Sequence, residues 1–458
     1  MEATISYSPL IILLLGTLGV VLCIVVLRLP AYISLMLAAI FVGIISPHVG
    51  DGNAWVAAVE TAMKEFGITA GKVSFVIAIA SVLGIAMTES GAAEKIVNRL
   101  IHAFGESRAG IALLVAGFIL SIPVFFDTVF FLLMPLALVL AQKTGKNFLL
   151  FVMAISCGAV ITHSIIPPTP GPLLMAEAFN INLGMVIVAG LICGIIPAYA
   201  GYKFSQRQNK KITLLPPILS DQDEVKRVSQ LPSFGVSMMP IILPLLLIIA
   251  ASVMTVYQPE SNTALSKTIA FVGNKNVAMF LGLIVALYLW AKNQKLSLKE
   301  LGKRMDRPLE IAGLIILITS AGGAFGAMIS KTGLGDMINA ISANGFSMNL
   351  IVVAWVMAVV LKLAQGSGTV SVITTAGIMA AIVGTGADLP YHPIYLFMAI
   401  GYGSMVGSWM NDSGFWIVGK LSGMTEQQTF RSWTMLLAVI GTVGFIQALV
   451  MSYVLPLT

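Results

Sequence analysis

The chain has 458 residues, of which 58% are hydrophobic and only 10% charged, and its mean hydropathy is +0.95. No water-soluble domain of this length is so poor in charge. Apolar stretches of about 18 or more residues recur throughout, so the chain is predicted to be an all-α polytopic membrane protein. The net charge of +6 calls for no nucleic-acid partner, because the basic residues sort by loop, and Cys23, Cys157 and Cys193 fall in apolar segments as small core residues.

In chain order, the first span is predicted at 8–27. It lacks a basic n-region and a small-residue cleavage site, and so reads as a span rather than a signal peptide. Further spans are predicted at 31–47, 71–88, 148–180, 183–202, 236–257, 276–291, 309–329, 392–420 and 430–453. Those at 148–180 and 392–420 are broken. Two more apolar segments, 108–142 and 348–385, turn back at polar midpoints and read as re-entrant helical hairpins. Residues 203–235 carry both charge signs and Pro216-Pro217, a linker pattern. The division is therefore 1–202, first transmembrane repeat; 203–235, cytoplasmic linker; 236–458, second transmembrane repeat.

Lys and Arg set the orientation. With the loops near 28, 92–108, 143–147, 203–233, 292–308 and 421–431 in the cytoplasm, 20 of the 26 basic residues lie inside. Both termini are then external. Lys362 is left within a hairpin.

The chain repeats itself. Leu120, Thr128 and Val129 align with Leu361, Thr369 and Val370; Gly84, Ser90 and Gly91 with Gly326, Thr332 and Gly333; Met153-Ala154-Ile155 with Met398-Ala399-Ile400. The offset stays between 241 and 245. With five crossings per half, the second copy is inverted, a signature of secondary transporters.

The first broken span holds Thr162-His163-Ser164-Ile165-Ile166-Pro167-Pro168-Thr169-Pro170-Gly171-Pro172. Each proline lacks an N–H and clashes with the carbonyl four residues back. The carbonyls of His163, Ser164, Ile166 and Pro168 thus lose their helical partners. Irregular backbone at membrane depth is tolerated only inside protein or beside a wet cavity. Its hydroxyls (Thr162, Ser164, Thr169) and the His163 imidazole point to a substrate site, the alternative being a proline kink that only shapes the helix. The second broken span uses Gly403, Gly407 and Gly414 instead, around Asn411, Asp412 and Ser413. Asp412 is then an intramembrane carboxylate, either a site residue or an anchor for unwound backbone.

The hairpin turns add Ser121, Asp127 and Thr128 in the first, and Ser367, Thr369 and Ser371 in the second. Lys362 sits on an otherwise apolar helix. A buried ammonium needs a negative partner, Asp127, Asp412 or an anionic substrate; the other choice is that it snorkels to the surface. His163 is the one histidine well inside a span, a structural hydrogen bonder or a proton carrier. No zinc spacing, nucleotide loop or nucleophile–base pattern occurs, so neither an enzyme nor a bound cofactor or metal is expected.

Four segments, Pro123–Pro135, Thr162–Pro172, Gln365–Val370 and Asn411–Trp416, resemble the gluconate permease family of proton-coupled symporters. They occur in the family's order and span both halves. The chain departs from the family pattern at Ser164, where glycine is usual, and at Thr169, where histidine is usual. The resemblance implies symport of a sugar acid such as gluconate with protons across the bacterial inner membrane. It also implies a homodimer and elevator-like alternating access. It makes Asp127, Asp412 and His163 the proton-coupling candidates. Lys362 and the hydroxyl and amide side chains named above would hold a small organic anion. The alternatives are sodium coupling, D-serine or another small anion as substrate, and an intramembrane enzyme built on His163 and an aspartate.

Overall fold

The computed structural model describes residues 8–46, 54–216, 231–257, 263–334, 337, 349–384 and 389–457. Residues 217–230 of the expected linker lie outside these residues. The described residues are all-helical, without strands. Eight helices among them are long and apolar enough to cross a membrane.

The first half contains α1 (Ser8–Val21), α2 (Ala31–Ile45), α3 (Ala54–Glu89), α4 (Ala92–Phe104), α5 (Ala109–Leu120), α6 (Phe126–Thr144), α7 (Phe148–Ile165), α8 (Pro170–Ala178), α9 (Leu183–Cys193) and α10 (Ile195–Lys211). The second contains α11 (Phe234–Tyr257), α12 (Ala264–Val272), α13 (Lys275–Gln294), α14 (Leu298–Ser330), α15 (Leu350–Gln365), α16 (Gly368–Val383), α17 (Ile394–Gly403), α18 (Ser413–Ser422) and α19 (Glu426–Val454).

Each half therefore holds a helix pair with a short turn (α5/α6 and α15/α16) and a span broken in its middle (α7/α8 and α17/α18). At 12 residues, α5 is about 18 Å long, too short for a hydrocarbon core of about 30 Å. α4 is amphipathic and meets α5 at 108°, as a helix lying at the membrane surface does.

Several helices outrun the expected spans. α3 begins at Ala54 rather than 71, and α14 at Leu298 rather than 309. Charged residues end an apolar span but not a helix. A capping box of Ser297 and Glu300 starts α14 on the polar side, with hydrogen bonds to the Ser297 hydroxyl and from the Ser297 N–H.

Four ion pairs join loops that the charge sorting had placed on a common side. Lys143–Glu106 and Arg304–Glu89 lie at the basic end; Lys275–Glu177 and Lys331–Glu65 lie at the other.

The broken span α7/α8 is the most enclosed of the candidate spans, 89% of its apolar window being buried. Glycines allow its neighbours to press close. A Cβ on Gly158 of α7 would lie 2.1 Å from the Leu114 carbonyl oxygen of α5, and one on Gly117 would lie 2.7 Å from the Ile155 oxygen. Backbone contacts of this kind stand in for the hydrophobic effect, which is weak between helices in lipid. G158V is expected to abolish monodisperse protein in detergent, whereas G67A, with no atom within 4 Å of its new methyl group, leaves the yield unchanged. Size-exclusion chromatography of the two variants checks both.

Candidate functional site

The first break is Ile166 to Thr169. The Thr169 hydroxyl lies 2.9 Å from the His163 carbonyl oxygen and 2.8 Å from that of Ile166. These are two of the four carbonyls that the prolines deprive. One hydroxyl hydrogen is shared between them, so Thr169 fastens the break.

In the second break, Asp412 caps α18 by accepting the Gly414 N–H at 3.0 Å. The break is docked on the tip of α15/α16. Asn411 donates to the Leu363 carbonyl at 2.8 Å and the Trp409 indole donates to the same oxygen at 3.2 Å. At the tip, Gly366 has φ +81° and a Cβ on it would fall 2.0 Å from the Asn411 oxygen. Only glycine permits this approach.

Lys362, 3% exposed, is the ammonium left over in the sequence. Its Nζ donates to Asp412 at 2.7 Å and to the Gly366 carbonyl. Asp412 also accepts from the Ser408 hydroxyl, and the Trp433 indole N–H donates to Ser408 at 2.7 Å. Of the partners the sequence allowed for Lys362, the structure selects Asp412. Asp127 has no hydrogen bond or ion pair among the described residues, and lines the same cavity as Asp412.

A cavity of about 540 Å³ opens where these elements meet. From the first half, Asp127, Thr128, His163 and Ser164 line it; from the second, Lys362, Ser367, Thr369, Asp412 and Ser413. Its volume suits a small organic ligand. The first turns of α6, α8, α16 and α18 all contribute to its wall. Helix N-termini present free N–H groups and a positive dipole end, an environment for anions, although in α8 Pro170 and Pro172 have no N–H and Gly171 alone between them offers one. Neither α6 nor α8 carries a side-chain cap. The wall on α3 is Ser81 to Ile85, within two turns of the basic end.

Five expected positions lie off this wall. Ser121 and Thr162 are buried, with hydroxyls that have no partner among the described residues. Thr169 serves the break. Ser371 donates to the Ala358 carbonyl at 2.6 Å, and Asn411 holds Leu363. His163 reaches the cavity, its Nδ1 unpartnered and its ring edge-on to Phe125 at 6.2 Å. Ser81, Phe126 and Trp433 line the cavity without having been singled out in the sequence. No three His, Cys, Asp or Glu side chains among the described residues form a metal-ligand group.

Residues 8–454 match the family described as GntP family permease. The chain is 31% identical to the gluconate permease of Pseudomonas aeruginosa over 449 residues, covering 96% of this chain and 97% of that one. It is 30% identical over 430 residues to the low-affinity gluconate transporter of Escherichia coli K12, covering 92% and 93%. Identity to the Gnt-II system L-idonate transporter of Escherichia coli K12 is 28% over 448 residues, covering 98% and 100%. In fold it is similar to the YdaH transporter of Alcanivorax borkumensis, with a TM-score of 0.65 at 13% identity, covering 99% of this chain and 100% of that one. MtrF of Neisseria gonorrhoeae matches with a TM-score of 0.61 at 15% identity, covering 93% and 94%.

The Lys362–Asp412 pair makes a stability prediction. Removing one member strands the other, at a cost of about 3–5 kcal/mol for a buried pair. K362M is therefore expected to lower the melting temperature of the detergent-solubilised protein well below that of K362M/D412N. Equal melting temperatures in the two variants would show that the pair is not coupled.

Proposed function

The chain belongs to the GntP family of permeases, and we propose that it is a proton-coupled secondary transporter that brings gluconate or a closely related sugar acid into the cell. The observation that carries the proposal is the charge arrangement of the cavity. Lys362 and the first turns of four helices line a cavity that also holds hydroxyls and one carboxylate, Asp127, without a partner among the described residues. Anion, polyol and proton each have a chemically matched group there.

Lys362 and Asp412 offset each other, so Asp127 holds the charge that nothing compensates. A monoanion entering the cavity adds a second negative charge beside it. Like charges about 7 Å apart at an effective dielectric constant of about 20 repel by about 2 kcal/mol, a factor of about 30 in affinity. A proton on Asp127 removes that repulsion. Anion binding and proton binding then favour each other, and the coupling is reciprocal. Moving the half-loaded site through a low-dielectric barrier is disfavoured.

The anion's carboxylate fits the second-half wall. A Cβ on Gly368 would lie 3.9 Å from Lys362 Nζ, so the glycine leaves room over the ammonium. The hydroxyls of Thr128 and Ser164 suit the sugar-acid chain. Because the wall on α3 lies near the basic end, the cavity corresponds to an inward-facing state if the basic end is cytoplasmic. Alternating access exposes the same groups outside. The proposal places the protein in a bacterial inner membrane, as its bacterial relatives and the Lys/Arg sorting favour.

The test is labelled gluconate uptake into sodium-free proteoliposomes under an inward proton gradient. The wild type is expected to accumulate gluconate, and a protonophore to abolish the accumulation. D127N is expected to lose gradient-driven accumulation by at least about tenfold while retaining gluconate exchange. Accumulation by D127N at the wild-type level removes Asp127 from proton coupling. Accumulation that requires sodium replaces the proton with that ion.

A further inference from the structure

Trp433 is 2% exposed and lines the cavity wall, yet it lies on α19, an unbroken apolar span. A local widening of that helix puts it there. Phe430 to Thr434 form one π-helical turn, and the Met435 N–H bonds the Phe430 carbonyl five residues back. Three consecutive residues, Ser432, Trp433 and Thr434, are buried between exposed Arg431 and exposed Met435. Such bulges are rare and are found frequently at functional sites.

The indole has two engagements. Its N–H donates to Ser408 Oγ at 2.7 Å. Since Ser408 accepts that hydrogen, its own single hydrogen is directed to Asp412, the partner of Lys362. The indole ring also lies against Phe126, with centroids 5.3 Å apart. Phe126 precedes Asp127 in the first turn of α6. Beneath the ring, a Cβ on Gly414 would sit 3.0 Å from the indole, so the start of α18 is pressed against it. One side chain thus touches both the ion-paired network of the second half and the segment carrying the unpaired carboxylate of the first.

We propose that Trp433 is a positioning residue that holds the Lys362–Asp412 pair at a set distance from Asp127, and so tunes both anion affinity and its dependence on pH. This rests on the transport reading above. Trp433 acts through Ser408 and Phe126, and takes no proton itself.

The experiment compares W433F, S408A and the double variant in gluconate uptake across external pH, with W355F as control. W433F keeps a ring against Phe126 and loses the N–H. The Trp355 indole N–H is buried with no partner, so W355F removes the same group where it does nothing. Loss of one hydrogen bond is expected to raise the KM of W433F about fivefold, with the maximal rate changed less than about twofold and the pH dependence of KM displaced. S408A, which also loses the hydroxyl donated to Asp412, is expected to raise KM at least as far, and the double variant to be no worse than S408A alone. W355F is expected to behave as the wild type. A wild-type KM and pH profile in W433F, or additive effects in the double variant, overturns the proposal while leaving gluconate transport intact. If the wild type takes up no gluconate under any gradient, the transport reading fails and the positioning role falls with it. Melting temperatures of the same four proteins then test the Trp433–Ser408 hydrogen bond on its own, and additive losses there refute it.

Discussion

A buried ammonium organises the second half of this protein. Lys362 cannot stay charged at that depth without a partner, and its partner lies on another element. Pairing with Asp412 requires the tip of α15/α16 to meet the break between α17 and α18. That meeting requires Gly366, because any Cβ there collides with the Asn411 backbone. It also makes the break affordable. The Leu363 carbonyl near the end of α15 takes donors from Asn411 and Trp409, while Asp412 caps α18. The unwound backbone is thus stitched to the hairpin tip by the residues that unwinding exposes.

The first half solves the same problem with different chemistry. Its break is made by prolines, which remove donors as well as helical geometry. There is no lysine in the aligned place; Ser121 stands where Lys362 stands in the repeat. Thr169 reaches back to the His163 and Ile166 carbonyls instead. The outcome is a fastened break without a fixed charge, and a neighbouring helix, α6, whose first turn presents Asp127 to the cavity. The two halves are therefore unequal: one supplies a compensated ion pair, the other a carboxylate with no partner.

Local chemistry announced the breaks, the hairpin turns and Lys362, because prolines, glycines and a charge are anomalies in an apolar helix whatever surrounds them. Nine of the expected side chains reach the cavity for that reason. Thr169, Ser371 and Asn411 were expected there too, and instead bond backbone. A hydroxyl or amide that suits a ligand suits an orphan carbonyl equally well, and only the distance to the nearest such carbonyl separates the two uses. Ser81 and Trp433 left no signal because each sits in an uninterrupted apolar helix. Which face of such a helix meets the cavity is a tertiary property, and at Trp433 it turns on one widened turn of helix.

The proposed proton coupling would also account for a lysine that is already paired. An unpaired ammonium in the cavity would hold an anion tightly and would be costly to leave empty, so the return step would stall with the site charged. A lysine whose charge is offset by Asp412 attracts an anion through geometry and residual field, and remains tolerable when the anion has left. Under the proposed coupling, charge control then passes to Asp127, where one proton decides whether a second negative charge is welcome. Under that proposal, transport needs binding favourable enough to load and weak enough to release, and dividing the charges between a locked pair and a free acid meets both conditions.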